Sequence, residues 1–317
     1  MARLNRTVFV LAGPTASGKT EVAVETAALL DAEIINVDSR QVYRGLDIGT
    51  AKPTREQRAT VPFHMVDIVE PVALYSAADF GAQARLVAEE IWKRGKRVLA
   101  EGGSGLYFRA FLEGLFDCPP VPSAVRENVK RDLEKTGLEA LVQELERVDP
   151  VAARRIDRRN PVRVCRAVEV FRATGVPLSK LQEKRTRPPD FNIVWRGLRW
   201  PREELYYRIN QRTRRMLEGG WVDEVRALLE SRPATRLVME RTLGYREIVA
   251  MIDGSLAPGE LCETIARRTR NYAKRQMTWF RANKEITWIS CRQTATTREL
   301  ASRIHDSFMR RFVPAAQ

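Results

Sequence analysis

The sequence predicts an α/β fold. Its core is a parallel sheet built on a phosphate-binding loop, with helices on both faces, and it carries a small all-helical insertion. Three observations lead there. "GPTASGKT", Gly13 to Thr20, matches G-x-x-x-x-G-K-[ST] between an apolar run and a helix-forming run, the context that motif requires. Strand-like and helix-like runs then alternate to about residue 117, as in a parallel sheet. From Ser123 to about Lys184 the chain reads as helix throughout.

The elements follow in order. "TVFVLAG" is apolar and β-branched, hence a buried strand. "KTEVAVETAALLD" distributes Val22, Val24, Ala27 and Leu30 as on a largely buried helix. "AEIINVD" is a second strand. In "SAADFGAQARLVAEEIWKRG", Ser76 caps a helix, Asp79 lies three residues on, and Gly95 ends it. "KRVLAEGG" is a third strand. The prolines of "LFDCPPVPS" mark a boundary. Helical runs follow, separated by Gly137, Pro150, Pro161 and Gly175, as far as "KRTRPPD". "NIVWRGLRW" returns to a strand, and Gly219 and Gly220 separate two helices after it. The long run "GELCETIARRTRNYAKRQMTWFRAN" is a further helix, "ITWIS" a last strand, and "VPAAQ" a frayed tail. The resulting domains are 1–118 (first part of the core), 119–188 (helical insertion) and 189–317 (second part of the core, with C-terminal basic helices).

At 317 residues the chain suits one or two domains. It is 44% hydrophobic and 30% charged, and no apolar run approaches the ~20 residues that span a bilayer. The basic start runs straight into the glycine-rich motif, so it reads as a first strand rather than a signal peptide. Cys118, Cys165, Cys262 and Cys291 are scattered, and His64 and His305 are isolated. Neither a zinc site nor a disulfide framework is indicated, and reduced thiols fit a cytoplasmic protein. The net charge of +14 points to a polyanionic partner, nucleic acid first and an anionic membrane surface second.

The phosphate loop has a clear chemistry. Backbone N–H groups and the helix N-terminus wrap a phosphate, Lys19 adds a point charge, and the Thr20 hydroxyl can bind Mg²⁺. Gly18 permits close backbone approach. Any organic diphosphate fits such a cradle. The spacing excludes the G-x-G-x-x-G dinucleotide fingerprint, and with it a ribose-binding role for Asp38. Asp38 ends the second strand, at the sheet edge where ligands bind. It is a candidate proton acceptor or substrate ligand, or else the cap of the next turn. Glu101 ends the third strand, either holding water on a metal or lying on a peripheral loop. Gly102, Gly103 and Gly105 read as a tight turn against a substrate, with Ser104 and Tyr107 as contacts.

Basic residues cluster twice. Arg155, Arg159, Arg163 and Arg166 are spaced roughly as one helical face, interrupted by Pro161. In the late helix, Arg267, Arg270 and Lys274 recur with Arg281 two turns on, interleaved with Tyr272, Trp279 and Phe280. Such stripes suit phosphate contacts and base stacking, although Trp279 and Phe280 read better as core.

Taken together, "GPTASGKT", "DSRQVYRGLDIGTAKPT", "YSAADF", "GGSGLYFRAFLEGL", "DPVAARRI", "RTLGYRE" and "AKRQMTWFR", in this order, closely resemble the tRNA dimethylallyltransferases (tRNA isopentenyltransferases). The resemblance runs from about Val8 to Trp288. It implies transfer of a dimethylallyl group from dimethylallyl diphosphate to the exocyclic amine of the adenosine 3′ of the anticodon. It implies that Gly13, Pro14, Thr15, Ala16, Ser17, Gly18, Lys19 and Thr20 hold the diphosphate with Mg²⁺, and that Arg212 reaches it too. Asp38, with Lys19 and Thr20, would be catalytic. Asp38 would also touch the tRNA, and Ser39, Arg40 and Gln41 would line the tRNA side of the cleft. Further tRNA contacts are implied at Ser104 and Arg126, and at Val162, Arg163, Val164, Cys165 and Arg166 of the insertion. Two more sets are Arg241, Thr242, Leu243, Gly244, Tyr245 and Arg246, and Lys274, Arg275 and Gln276. Family members often carry Thr at the position of Ser104 and an aliphatic residue at that of Glu101. The rival reading is a P-loop kinase of a small molecule, with ATP on the loop and Asp38 as base. The basic insertion and basic C-terminal helix are superfluous to such a kinase. No obligate protein partner is evident, and a monomer is the simplest assembly.

Overall fold

The computed structural model describes residues 6–116, 118–183, 190–292 and 294–310. The basic start at residues 1–5, the far edge of the insertion at 184–189 and the tail "VPAAQ" lie outside them. The chain divides into two compact units, Met1–Leu112 with Pro189–Gln317, and Glu113–Pro188.

The first unit is built on six parallel strands: β1 (Thr7–Ala12), β2 (Ala32–Val37), β3 (Phe63–His64), β4 (Arg97–Gly102), β5 (Asn192–Arg199) and β6 (Thr287–Ser290). Their order is β3-β2-β4-β1-β5-β6. β4 therefore lies between β1 and β2, with Leu11 and Asn36 as the register partners of Glu101. The two-residue β3 escaped the sequence reading because nothing so short carries a period.

Helices in this unit are α1 (Lys19–Leu30), α2 (Arg55–Thr60), α3 (Ala77–Lys93) and α4 (Gly105–Leu112). The second unit contains α5 (Ser123–Val148), α6 (Pro150–Arg155), α7 (Pro161–Thr174) and α8 (Leu178–Glu183). The first unit then resumes with α9 (Arg202–Glu218), α10 (Trp221–Ser231), α11 (Arg236–Met239), α12 (Tyr245–Ile252), α13 (Leu261–Ala282) and α14 (Thr297–Met309). No helix among the described residues is long and apolar enough to cross a membrane.

Strand side chains alternate between two cores. On one face Phe9, Leu11, Ile34, Leu99 and Val194 pack with Val22, Ala23 and Ala27 of α1 and Leu300, Ile304 and Phe308 of α14. On the other, Val8, Val10, Ile35, Val98, Ala100 and Trp195 meet Phe80 and Ala84 of α3, Phe108 and Phe111 of α4, and Phe280 of α13. α14 was missed, although Thr296 and Glu299 form a capping box that the sequence displays. Ser76 caps α3 as expected, accepting from Asp79 N.

The second unit has its own core, with Val129, Leu141, Leu145, Val164, Val168 and Leu181 among its members. Gly137, at φ 79° and ψ 174°, breaks α5 into the two helices the sequence indicates. The interruption expected at Pro161 divides the basic residues between two helices. α6 ends at Arg155 and Pro161 opens α7, so Arg159 sits in the turn between two separate helices. Val162 is 76% exposed, whereas Val164, expected at the RNA, lies in the core. Arg126 and Arg163 are exposed, and Arg166 is half-buried with Nη2 donating to Cys118 Sγ at 3.5 Å. All four cysteines are free.

The "GLDIGTAKPT" segment between β2 and α2 has no regular structure, yet it is anchored on every side. Glu224 accepts from the backbone N–H groups of Asp47 (3.1 Å) and Ile48 (2.8 Å), and Tyr245 Oη accepts from Gly49 N (3.2 Å). Gln41 Nε2 donates to Thr50 O and Ala51 O at 2.8 and 3.0 Å. Lys52 reaches Tyr43 O, Asp47 and Asp67, and Arg58 also pairs with Asp67. The Trp221 indole wedges between Gly49 and Gly244. A Cβ on either glycine would come within about 2 Å of the ring, and Gly244 also has φ +86°.

Two outcomes follow from this anchoring. Gly244→Ala, which combines overpacking with a left-handed backbone, should cost about 2–4 kcal/mol of stability, read as a lowered midpoint in denaturant. Burial works to raise the Asp67 carboxyl, but hydrogen bonds from Lys52 and Arg58 override it and hold the group below its ordinary value. Its contribution is therefore present above about pH 4 and fades as pH falls through the folded-state value. Asp67→Asn should lower the Tm at pH 7, and the gap to wild type should narrow as pH drops below 4.

Candidate active site

The phosphate loop joins β1 to α1. Ala16 (φ 62°) and Gly18 (φ 80°) both take left-handed backbone, which turns the loop sharply. No side chain caps α1, so its first-turn amides stay available to an anion. The loop is tied from outside by side chains far along the chain. Arg208 Nε donates to Ala16 O (2.8 Å) and Trp200 Nε1 to Ser17 O (2.9 Å), and the Arg208 guanidinium stacks 4.4 Å over Trp200. Arg212 Nη2 donates to Thr15 Oγ1 at 2.6 Å. Gln276 Oε1 accepts from Thr15 N, and its Nε2 donates to Gly103 O, both at 2.9 Å. Lys19 Nζ closes the loop on Pro14 O at 2.9 Å.

These residues border a cavity of about 900 Å³, also lined by Asp38, Glu101 and Tyr272. Burial pushes the Lys19 ammonium below its ordinary value, against the pull of Glu101 and Asp38. Burial likewise lowers Arg212, opposed by Glu21 and Asp38. Two cations desolvated against one loop are poised for an anion that neutralises both. Glu101 is not on a peripheral loop. It is 2% exposed on β4, and burial raises its carboxyl to about 7 although Lys19 pulls the other way.

Asp38 follows the last residue of β2. Its Oδ1 accepts from Arg40 N (2.8 Å) and Gln41 N (3.4 Å), so it does cap the next turn. Its Oδ2 makes no hydrogen bond among the described residues and stays available to a ligand. A second cavity of about 260 Å³ adjoins the first. Thr15, Asp38, Thr50, Arg212 and Tyr272 line both, while Arg40, Arg241, Arg246 and Arg275 border only the smaller one. Asp38 thus stands where the cavity bordered by the Gly13–Thr20 loop meets the smaller one bordered by Arg40, Arg241, Arg246 and Arg275. Burial and the charge of Asp38 raise the Tyr272 phenol to about 12, and Arg275 lies 5.9 Å over its ring.

Several residues expected at the RNA also hydrogen-bond within the protein, although Gln41 and Gln276 border the larger cavity and Thr242 the smaller. Gln41 is buried, taking a hydrogen bond from Asn36 besides clamping Thr50 and Ala51. Ser104 is buried and accepts from Ser39 N at 3.0 Å. The Thr242 hydroxyl donates to Val238 O at 2.7 Å, and the buried Tyr245 donates to Glu224. Gly244 faces the Trp221 ring, and Gln276 braces the phosphate loop. Arg270 is paired with Asn210 and Glu263. Ser39, Arg40, Arg241, Thr242, Leu243, Arg246 and Arg275 line the smaller cavity, while Lys274 is exposed on α13.

The glycines near Glu101 serve close packing. A Cβ on Gly102 would lie 2.1 Å from Val37 O, on Gly103 2.3 Å from the Gln276 amide, and on Gly105 2.3 Å from the Trp279 ring. Gly105 opens α4, and Tyr107 is buried with its hydroxyl on Tyr75 O. Trp279 and Phe280 pack edge to face, as core residues do. Trp200 and Arg208 were not singled out from the sequence. The signal for Arg208 was its spacing from Arg212 and Arg215, at i, i+4 and i+7 on one helical face.

The family model described as IPP transferase matches residues 41–283. The tRNA dimethylallyltransferase 1 of Pelobacter propionicus is 44% identical over 283 residues, 89% of this chain and 92% of that protein. The tRNA dimethylallyltransferase of Thermomicrobium roseum is 42% identical over 302 residues, covering 95% and 91%. Among solved structures, the tRNA isopentenylpyrophosphate transferase of Bacillus halodurans superposes with a TM-score of 0.70 at 35% identity, covering 96% of this chain and 95% of that one. A eukaryotic dimethylallyltransferase acting on tRNA gives a TM-score of 0.80 at 25% identity, covering 97% and 79%. With that family model matched over residues 41–283 and relatives 42–44% identical across about nine-tenths of the chain, the chain belongs to the IPP transferase family.

Proposed function

We propose that this protein transfers a dimethylallyl group from dimethylallyl diphosphate to the N6 amine of the tRNA adenosine 3′ of the anticodon, releasing diphosphate. The supporting observation is the position of Asp38, between the phosphate-loop cavity and the arginine-lined one. A donor diphosphate in the first and a base entering from the second would meet at its carboxylate.

Diphosphate leaves as positive charge develops on the allylic carbon, so the site must stabilise negative charge on the departing oxygens. Lys19, Arg212 and the α1 amides lie at that end of the cavity. The Thr20 hydroxyl and the neighbouring buried carboxylate oxygens are hard donors of the kind Mg²⁺ takes, and Thr20 would hold it. Mg²⁺, when bound, supplies further positive charge to the leaving group. The adenine must leave its stack to reach the cleft, at a cost of a few kcal/mol. Asp38 Oδ1 stays fixed by the turn amides while Oδ2 accepts a hydrogen bond from the N6 amine, orients it and takes its proton as the C–N bond forms. Tyr272, beside Asp38, closes the wall between the cavities and limits the water that would quench the cation. Arg40, Arg241, Arg246 and Arg275 suit the phosphates of the incoming strand. The exposed cations of the helical unit, Arg126 and Arg163, suit the same polyanion.

Unmodified tRNA and labelled dimethylallyl diphosphate, incubated with the protein and no nucleotide, should give labelled tRNA. Phosphoryl transfer from ATP to a small molecule, with no prenyl transfer, would overturn the reading. Asp38→Ala should lower the single-turnover rate by about 10²–10⁴-fold and leave diphosphate affinity nearly unchanged. Lost donor affinity with intact turnover would make Asp38 a donor ligand instead.

A further inference from the structure

The proton transfer and the anion cradle leave one buried group without a task. Glu101 is on β4, in register with Leu11 of β1 and Asn36 of β2. It therefore shares the sheet face of Leu99 and Leu11, the face covered by α1. That places its carboxylate at the first turn of the helix, where Thr20 Oγ1 donates to Oε1 at 3.3 Å. Its Oε2 is buried with no hydrogen-bond partner among the described residues. Two other oxygens lining the same cavity, Asn36 Oδ1 and Ser17 Oγ, are buried and unpartnered as well. A carboxylate desolvated with half its acceptor capacity unused is costly. Beside a site for an anion it is also repulsive. An aliphatic side chain at this strand end would avoid both penalties.

A divalent cation removes both. Mg²⁺ takes one or two protein oxygens and completes its octahedron with waters and phosphate oxygens. No cluster of three or more His, Cys, Asp or Glu among the described residues could hold a metal alone, which accords with that sparse mode. The geometry points to Glu101 as the carboxylate partner of Thr20 in holding the divalent cation that accompanies the diphosphate, directly or through one bound water. Asn36 Oδ1, the register neighbour, is placed to accept from a water of that cation. The inference rests on the reading that this cavity takes a diphosphate, and it adds a dependence. Without a cation Glu101 opposes the anion, and with one it favours it, so Glu101 makes cation and diphosphate binding mutually dependent.

The test uses the full chain with Mn²⁺ and inorganic diphosphate as probes. Free Mn²⁺ is followed by electron paramagnetic resonance, diphosphate by calorimetry with and without Mn²⁺, and neither depends on tRNA or turnover. Glu101→Gln should weaken Mn²⁺ binding to the diphosphate-loaded protein by about tenfold or more and strengthen metal-free diphosphate binding. Mn²⁺ affinity within about twofold of wild type in Glu101→Gln would overturn the assignment. If Glu101→Gln does not fold, Glu101→Asp, which keeps the charge but shortens the reach, should weaken Mn²⁺ binding by about threefold or more, and unchanged affinity would overturn the assignment equally. Wild-type protein that binds no diphosphate with or without Mn²⁺ would fail the donor reading itself, an outcome distinct from the loss of metal coupling in the variant.

Discussion

The site depends on one constraint: a loop that must offer its amides to an anion has to have its other polar groups satisfied elsewhere. A short glycine-rich turn cannot do this alone. Here the ties come from the second half of the chain. Arg208 and Trp200 take the carbonyls of Ala16 and Ser17, Arg212 takes the Thr15 hydroxyl, and Gln276 takes the Thr15 amide while holding Gly103. β5 and α9, which carry Trp200 and these arginines to the loop, are contributed by sequence beyond the helical insertion. The phosphate loop is thus preformed by residues 183 to 261 positions away. That preorganisation lets binding free energy go to the leaving group rather than to ordering the loop.

The same division explains which parts could be read from the sequence. Apart from β3 and α14, the strands, the large helices and the phosphate loop announce themselves through local period and fixed spacing, and the structure has them where the pattern puts them. Asp38 was legible as a strand-end acid. That one of its oxygens caps a turn while the other makes no hydrogen bond among the described residues was not, because no spacing separates two oxygens of one side chain. The roles of Gln41, Ser104, Thr242 and Gln276 were also hidden. A polar residue in a recurrent motif looks alike whether it touches a ligand or braces the residues that do. Only burial and partners distinguish the two, and both are tertiary facts. For Glu101 the sequence left a metal-side acid and a peripheral loop acid both open, because its hydrogen-bond partner Thr20 lies 81 positions away.

Charge is arranged with similar economy. Of 54 basic residues, many are engaged in ion pairs and hydrogen bonds, as Arg172 is with Asp132 and Glu144, and Arg236 with Asp253. Exposed arginines also stand at the smaller cavity, as Arg241 and Arg275 do, and on the helical unit, as Arg126 and Arg163 do. An overall charge of +14 says that a polyanionic partner suits the protein. It does not say which side chains meet it, and the arginines from 155 to 166 fall on two helices and the turn between them because Pro161 starts a new helix.

The Trp221 wedge carries a genetic consequence. One indole fills the space denied to a side chain at both Gly49 and Gly244, two positions 195 residues apart. A larger residue at either glycine is compatible only with a smaller ring at 221, and a smaller ring leaves a void that only larger neighbours fill. The three positions therefore form a linked set that single-step substitution cannot cross without passing through a less stable protein. Drift at these sites must come as paired changes, so a suppressor of a Gly49 lesion should be sought at Trp221 rather than nearby in the chain.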